Sequence, residues 1–260
     1  MCEHRLIPPR HLTVANGRRK WAALKRILVT ICILSVLLGA GNAFAAPFYT
    51  DTSKQAVFIS PLEGWTPTWN IAAYVSPLER AGYHVDILLD GNVTVSFLET
   101  ELAKYDVIIL RADSFEYEGQ SYYCTGEPVN FKTRATFTSE TSSGELRMEA
   151  CLGFSVQFIQ NHYPRGSLRH GLVLAVGSTT AELSYAFLNA GAAAFIGYYE
   201  EYSLQWGRLD SFSQKFLNYL SLGYTTKEAS MQLQLYVYHG HGQSADWPDL
   251  YLSGDANCKI

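Results

Sequence analysis

Two short apolar runs, Val107 to Leu110 and Leu172 to Val176, each give way to small polar residues, Asp113-Ser114 after the first and Gly177-Ser178 after the second. Runs of this kind have the pattern of parallel strands buried on both faces. In an open α/β sheet, ligands bind in the crevice beyond the carboxyl ends of adjacent strands. If the two strands are neighbours, Asp113 and Ser178 face each other there, with Ser114 and Gly177 beside them. A hydroxyl and a carboxylate so placed suggest nucleophilic attack on a carbonyl, the carboxylate taking the proton. An ordinary aspartate, with a pKa of roughly 3.9, is a weak base for that task, and burial that raised the pKa would cost the carboxylate its charge. The pair alone is therefore a poor hydrolase.

Other groups could supply the missing base. His239 and His241 form an HGHG stretch near the carboxyl terminus, His162 and His170 flank the approach to the second apolar run, and His84 lies in another apolar run. The HGHG pair has no evident third ligand and reads as a polar connection after a helix. His84 and His170 each precede a strand body and should lie at the end opposite Ser178. With no CxxC and no HExxH, neither a metal nor another cofactor is expected. Trp65, Trp69, Tyr198, Tyr199 and Tyr202 either line a groove for a peptide or sugar or pack as ordinary aromatic core. Glu63, Glu200 and Glu201 are carboxylates available for glycoside chemistry, although adjacent Glu200 and Glu201 point apart. Asn92-Val93-Thr94 is a glycosylation sequon in any host that glycosylates exported proteins.

The elements that would position these groups alternate strand and helix from Ala56 onward. Ala56 to Ser60 and Tyr83 to Leu89 read as strands, with a helix between them from near Thr66-Pro67 to Gly82 that must accommodate Pro77. A shorter helix from about Val95, capped by Thr94, leads to the strand ending at Leu110. This order predicts βαβαβ and a parallel sheet. Ser114 to Glu149 breaks the rhythm and reads as an insertion, with Val129 to Phe137 alternating like an edge strand or hairpin. Beyond it come the strand Gly171 to Gly177, a helix from about Thr180 to Asn189, the strand Ala192 to Gly197, and a helix behind Asp210 carrying Leu209, Phe212, Phe216, Leu217 and Leu220. Another helix starts at Thr226, and Asp249 to Ser253 reads as a last strand.

The chain has 260 residues, 48% apolar and 17% charged, with a net charge of −4. With no basic run after the amino terminus, nucleic acid is excluded as an expected partner. Arg18, Arg19, Lys20, Lys25 and Arg26 precede the uncharged stretch Ile27 to Gly41, and Ala43-Phe44-Ala45 has signal-peptidase spacing. Residues 1–45 are thus a signal peptide, or else a signal anchor that supplies the sole membrane contact. Residues 46–260 form one domain, with an insertion at about 114–150, outside the cytoplasm in either case. Of five cysteines, Cys2 and Cys32 fall in the first segment. Cys124, Cys151 and Cys258 remain, and Cys124 with Cys151 forms a disulfide or stays as two thiols.

The block Gly171 to Ala229, with Gly177-Ser178, Ala186-Phe187, Gly191-Ala192, Phe195-Ile196-Gly197 and Thr226-Lys227-Glu228-Ala229, resembles the carboxyl half of a caspase-like domain. It is similar in particular to prokaryotic members related to gingipain and CHAT-type cysteine peptidases. Asn92 to Phe97, Lys104 to Ser114, Phe137 to Glu140 and Leu250 to Asp255 match other parts of the pattern. The resemblance implies a three-layer α/β sandwich with a mostly parallel sheet and helices on both faces. It also implies a cysteine nucleophile at the end of the fourth strand and a histidine at the end of the third. Those positions fall on Ser178 and Asp113, so loss of both dyad members implies catalytic inactivity. The expected role is a binding or scaffold module for a protein or peptide, its pocket formed by Asp113, Ser114, Gly177, Ser178 and Trp65. The alternative is a hydrolase that keeps Ser178 and Asp113. A two-lobed solute-binding protein would need a longer chain.

Overall fold

The computed structural model of the chain describes residues 54–61, 64, 70–199, 206–240 and 250–260, with side chains to 236 in the helix that ends at Gly240. All of them belong to one unit, Thr50–Ile260. The amino-terminal segment with its signal pattern lies outside the described residues, as do Glu63, Trp65, Trp69, Glu200, Glu201, Tyr202 and His241.

The first strand, β1 (Gln55–Ser60), is followed by helix α1 (Ala72–Arg80), which contains Pro77 and packs Tyr74, Val75 and Leu78 inward. Strand β2 (His84–Leu89) leads through a 3-10 turn to helix α2 (Val95–Thr100), where Thr94 Oγ1 accepts the Phe97 N–H at 3.1 Å. That bond satisfies one of the orphan amides at the helix start. Strand β3 (Val107–Arg111) is buried at every position.

The insertion follows and is more elaborate than expected. Strands β4 (Ser114–Tyr117) and β5 (Gln120–Cys124) form a hairpin turned by Glu118-Gly119, both at positive φ. Helices α3 (Phe131–Thr136) and α4 (Thr138–Ser143) come next, then β6 (Leu146–Met148) and β7 (Leu152–Ser155). The four strands form an antiparallel sheet of order β4-β5-β7-β6. The sheet therefore runs to Ser155, past the expected boundary at about 150. The alternating stretch Val129 to Phe137 holds a helix over Phe131–Thr136 and no strand. Asn130 Oδ1 accepts the Thr133 N–H at 3.0 Å, and Thr133 Oγ1 donates to Pro128 O at 2.6 Å, so local side-chain bonds start a helix there.

The regular alternation resumes with α5 (Val156–His162), β8 (Leu172–Val176), a 3-10 turn over Thr180–Leu183, α6 (Ser184–Ala190), β9 (Ala194–Tyr198), α7 (Trp206–Ser221), α8 (Thr226–Gly240) and β10 (Leu250–Gly254). Helix α7 starts before the expected point, so Asp210 lies inside it and is buried rather than standing at its head. The expected single helix from Thr180 begins as the 3-10 turn because Thr180 Oγ1 bonds backward to Ala175 O and Gly177 O.

The main sheet has the order β10-β9-β8-β3-β1-β2, parallel throughout except for β10, which runs antiparallel to β9. Side chains alternate between its two faces, as strand geometry requires. Val57, Ile59, Ile108, Leu110, Val173 and Ala175 pack with α2, α5 and α6 on one face. Phe58, Val107, Ile109, Leu174, Val176 and Ile196 pack with α1, α7 and α8 on the other. The described residues thus form a three-layer α/β sandwich with helices on both faces. The insertion extends the first of these cores through Tyr123, Leu146, Leu152 and Phe154.

Candidate functional site

Strands β3 and β8 are neighbours in parallel register, Arg111 opposite Val176. Asp113 and Ser178 each stand two residues beyond that pair, at adjacent carboxyl ends. The ladder continues one step past the strands, with Ala112 N–H bonding Val176 O at 3.0 Å. Gly177 is buried, and a Cβ there would collide with the Ala112 carbonyl oxygen, so glycine is what lets the two tips approach.

Ser114 ties the tips together. Its Oγ donates to Ser178 O at 3.1 Å, and its N–H donates to Asp113 Oδ1 at 2.9 Å. Among the described residues, no hydrogen bond joins the Asp113 carboxylate to the Ser178 hydroxyl. Thr179 follows with φ at 53°, the left-handed region that β-branched residues rarely adopt. Its carbonyl accepts the Tyr123 hydroxyl at 3.0 Å, and its Oγ1 meets Ser121 Oγ at 3.5 Å. Burial holds the Tyr123 hydroxyl well above the usual tyrosine range, so it serves as a donor and not as a base. Thr180 Oγ1 accepts Tyr198 N–H at 3.1 Å, linking the next strand end. The insertion thus bonds directly to the tip of β8, and Cys124, which pairs with Cys151 as a disulfide with Cα atoms 5.6 Å apart, donates its N–H to Asp113 O at 2.9 Å.

Beneath the tip lies a charge pair that the apolar runs concealed. Arg111 is 1% exposed and its guanidinium is bidentate to Asp210, Nε to Oδ1 at 2.8 Å and Nη2 to Oδ2 at 3.1 Å. Arg111 Nη1 donates to Ser60 Oγ at 3.3 Å, and its guanidinium carbon is 4.4 Å from the Trp206 ring centroid. Tyr74 OH donates to Asp210 Oδ1 at 2.7 Å, and burial pushes that phenol up well above its usual range. The signal available in the sequence was an arginine closing an apolar run and an aspartate on the apolar face of a helix.

Among the described side chains, no histidine is hydrogen-bonded or ion-paired to Asp113, Ser114 or Ser178. His84 opens β2, opposite Gln55 at the amino end of β1, and lies 3.4 Å from Asp86. His170 is exposed just before Gly171 and β8, also at the amino end. His162 ends α5 among carboxylates, 3.3 Å from Glu145. His239 has only its backbone described. Tyr198 is core, sharing a 2.6 Å hydrogen bond with Ser213 Oγ, whereas Tyr199 is exposed with its ring edge-on to Tyr251 at 4.7 Å. Asn92 is exposed. Among the described residues, no group of three His, Cys, Asp or Glu side chains could hold a metal ion, and no helix is long and apolar enough to cross a membrane.

No protein-family model and no curated protein matches the chain. Among solved structures it is similar to the Drosophila initiator caspase Dronc, with a TM-score of 0.38 and 10% identity over 79% of this chain and 80% of that one. At that level of similarity the architecture rests on the strand order and register above, and no residue role is carried across.

Proposed function

We propose that this is an exported caspase-like domain that binds a protein or peptide at the β3 and β8 tips without cleaving it. The strand placement supports the alignment: the third and fourth strands of the parallel set are adjacent, and the positions where the resembled family carries histidine and cysteine hold Asp113 and Ser178. The paired cysteines support an oxidising compartment, as does the signal pattern at residues 18–45.

The single observation that carries the reading is the Ser114 bridge. Its hydroxyl is spent on the Ser178 carbonyl, which ties the two tips to each other, and its amide on the carboxylate of the adjacent Asp113. A nucleophilic serine needs a base within hydrogen-bond reach. Asp113 offers an acceptor on the tip instead, suited to a donor on a ligand, and the exposed Tyr199 ring on the neighbouring strand end offers apolar contact.

The test is selection of binders from a displayed peptide library by the wild-type domain, repeated with Asp113→Lys and with Ser114→Ala. Peptides that bind intact and lose affinity about tenfold or more with Asp113→Lys support the reading, a charge-assisted contact being worth about 1.5–3 kcal/mol. Binders indifferent to Asp113→Lys, or selected peptides recovered cleaved, would overturn it.

A further inference from the structure

The carboxyl end of α5 holds a group that the tip site does not use. His162 Nε2 lies 3.3 Å from Glu145 Oε2 and 3.8 Å from Glu99 Oε1, and its ring centroid is 4.5 Å from that of Phe158. The carboxylates come from different parts of the fold. Glu99 is on α2, in the helical layer over the main sheet, whereas Glu145 precedes β6 in the insertion, where Ser143 Oγ donates to its Oε1 at 3.2 Å. Glu140, on α4 of the insertion, adds a third negative charge to the surroundings of Glu99.

The cluster is unbalanced as it stands. His162 Nε2 and Glu140 Oε2 are both buried without a hydrogen-bond partner. The approach of His162 to its carboxylates is close enough for an ion pair but not aligned as a hydrogen bond. Arg147 on β6 lies 3.5 Å from Glu149 and over the Tyr117 ring, although its Nε, like His162 Nε2, is buried without a hydrogen bond. With a neutral imidazole, three carboxylates crowd together; with a charged one, two of them gain a cation in contact.

We propose that His162 is a pH-responsive latch, fastening the insertion to the α2 and α5 layer when its imidazole is charged and slackening when it is neutral. Histidine changes charge between about pH 5 and 8, so the latch closes on acidification. Glu99 contributes by losing its repulsion of Glu140 and Glu145, while its own contact with His162 weakens and Glu145 keeps the pairing. Burial, followed by the like charges of Glu140 and Glu145 and opposed by His162, holds the Glu99 carboxyl above the usual range, so it sheds negative charge early as pH falls.

Hydrogen exchange read by mass spectrometry on the whole chain, corrected for intrinsic rates, tests the latch at about pH 5.5 and about pH 8. Amides of α4 and β6 are expected to be about two- to fivefold better protected at the lower pH, while those of β1 and β3 show no such difference. His162→Gln should abolish the difference. Glu145→Gln, which leaves the histidine in place, should reduce it. Equal protection of α4 and β6 at the two pH values overturns the proposal, as does a full difference that persists in either variant.

Discussion

Arg111 and Asp210 form a bidentate ion pair in the interior, joining the last residue of β3 to the second turn of α7. Tyr74 from α1 donates to the same carboxylate, and Ser60 from β1 accepts from the guanidinium. Two strands and two helices therefore meet through one polar cluster directly under the Asp113 tip. A buried pair is costly to break because the remaining charge loses its partner. Asp210→Ala is expected to cost about 3–5 kcal/mol in urea unfolding, and Tyr74→Phe about 1–2 kcal/mol. Arg111→Met combined with Asp210→Leu should cost less than Asp210→Ala alone. A cost for the double variant at least as large as for the single would show that the pair is not the unit of stabilisation.

The approach of the β3 and β8 tips depends on Gly177. A methyl group there meets the Ala112 carbonyl oxygen, which is backbone and cannot swing aside. Gly177→Ala should therefore separate the tips, break the Ala112 to Val176 bond, and destabilise the fold by about 1–3 kcal/mol. Thermal unfolding checks the magnitude, and peptide binding at the tip should fall in parallel.

The disulfide between Cys124 and Cys151 closes a segment with a sequence separation of 27. Chain-entropy reasoning gives about 3–4 kcal/mol for a loop of that size. Reduction, or Cys124→Ser with Cys151→Ser, should lower the unfolding midpoint accordingly. Because Cys124 N–H bonds Asp113 O, the loss should also loosen the tip.

Alkaline pH should unfold the domain through its tyrosines. Burial, reinforced by Asp106 and Cys258, pushes Tyr83 from 10.0 up to about 12, and burial moves Tyr105, Tyr123, Tyr163 and Tyr198 in the same direction. A folded-state pKa above the unfolded one means that the native state holds its protons more tightly. That contribution is complete below about pH 10 and is lost as pH climbs through 12. Absorbance of tyrosinate and circular dichroism, followed together, should change in one transition above pH 10. Ionisation of these tyrosines with native circular dichroism retained would contradict the assignment.

The main sheet was legible because its inner strands β1, β3, β8 and β9 are buried on both faces and read as near-continuous apolar runs, with Thr94 marking a helix start. The tip residues followed from where those runs stop. The place of the insertion was legible, but its internal structure was not. Its strands are short, and the Glu118-Gly119 turn between Tyr117 and Gln120, the one local hairpin cue, is easily passed over. Val129 to Phe137 alternates, yet it has no sheet face to bury: Phe131 is 87% exposed and only Thr133 within α3 is buried. Asn130 then decides for helix. Arg111 and Asp210 were hidden because charge is read as surface by default, and the pairing joins residues ninety-nine positions apart.

The central claim is that the β3 and β8 tips bind without catalysis, and peptide hydrolysis tests it most directly. Purified wild type and Ser178→Ala are incubated with a diverse peptide library and new termini are counted by mass spectrometry. The account predicts no cleavage above the background shared by the two proteins. Hydrolysis by wild type that disappears in Ser178→Ala would contradict it and make Ser178 a nucleophile.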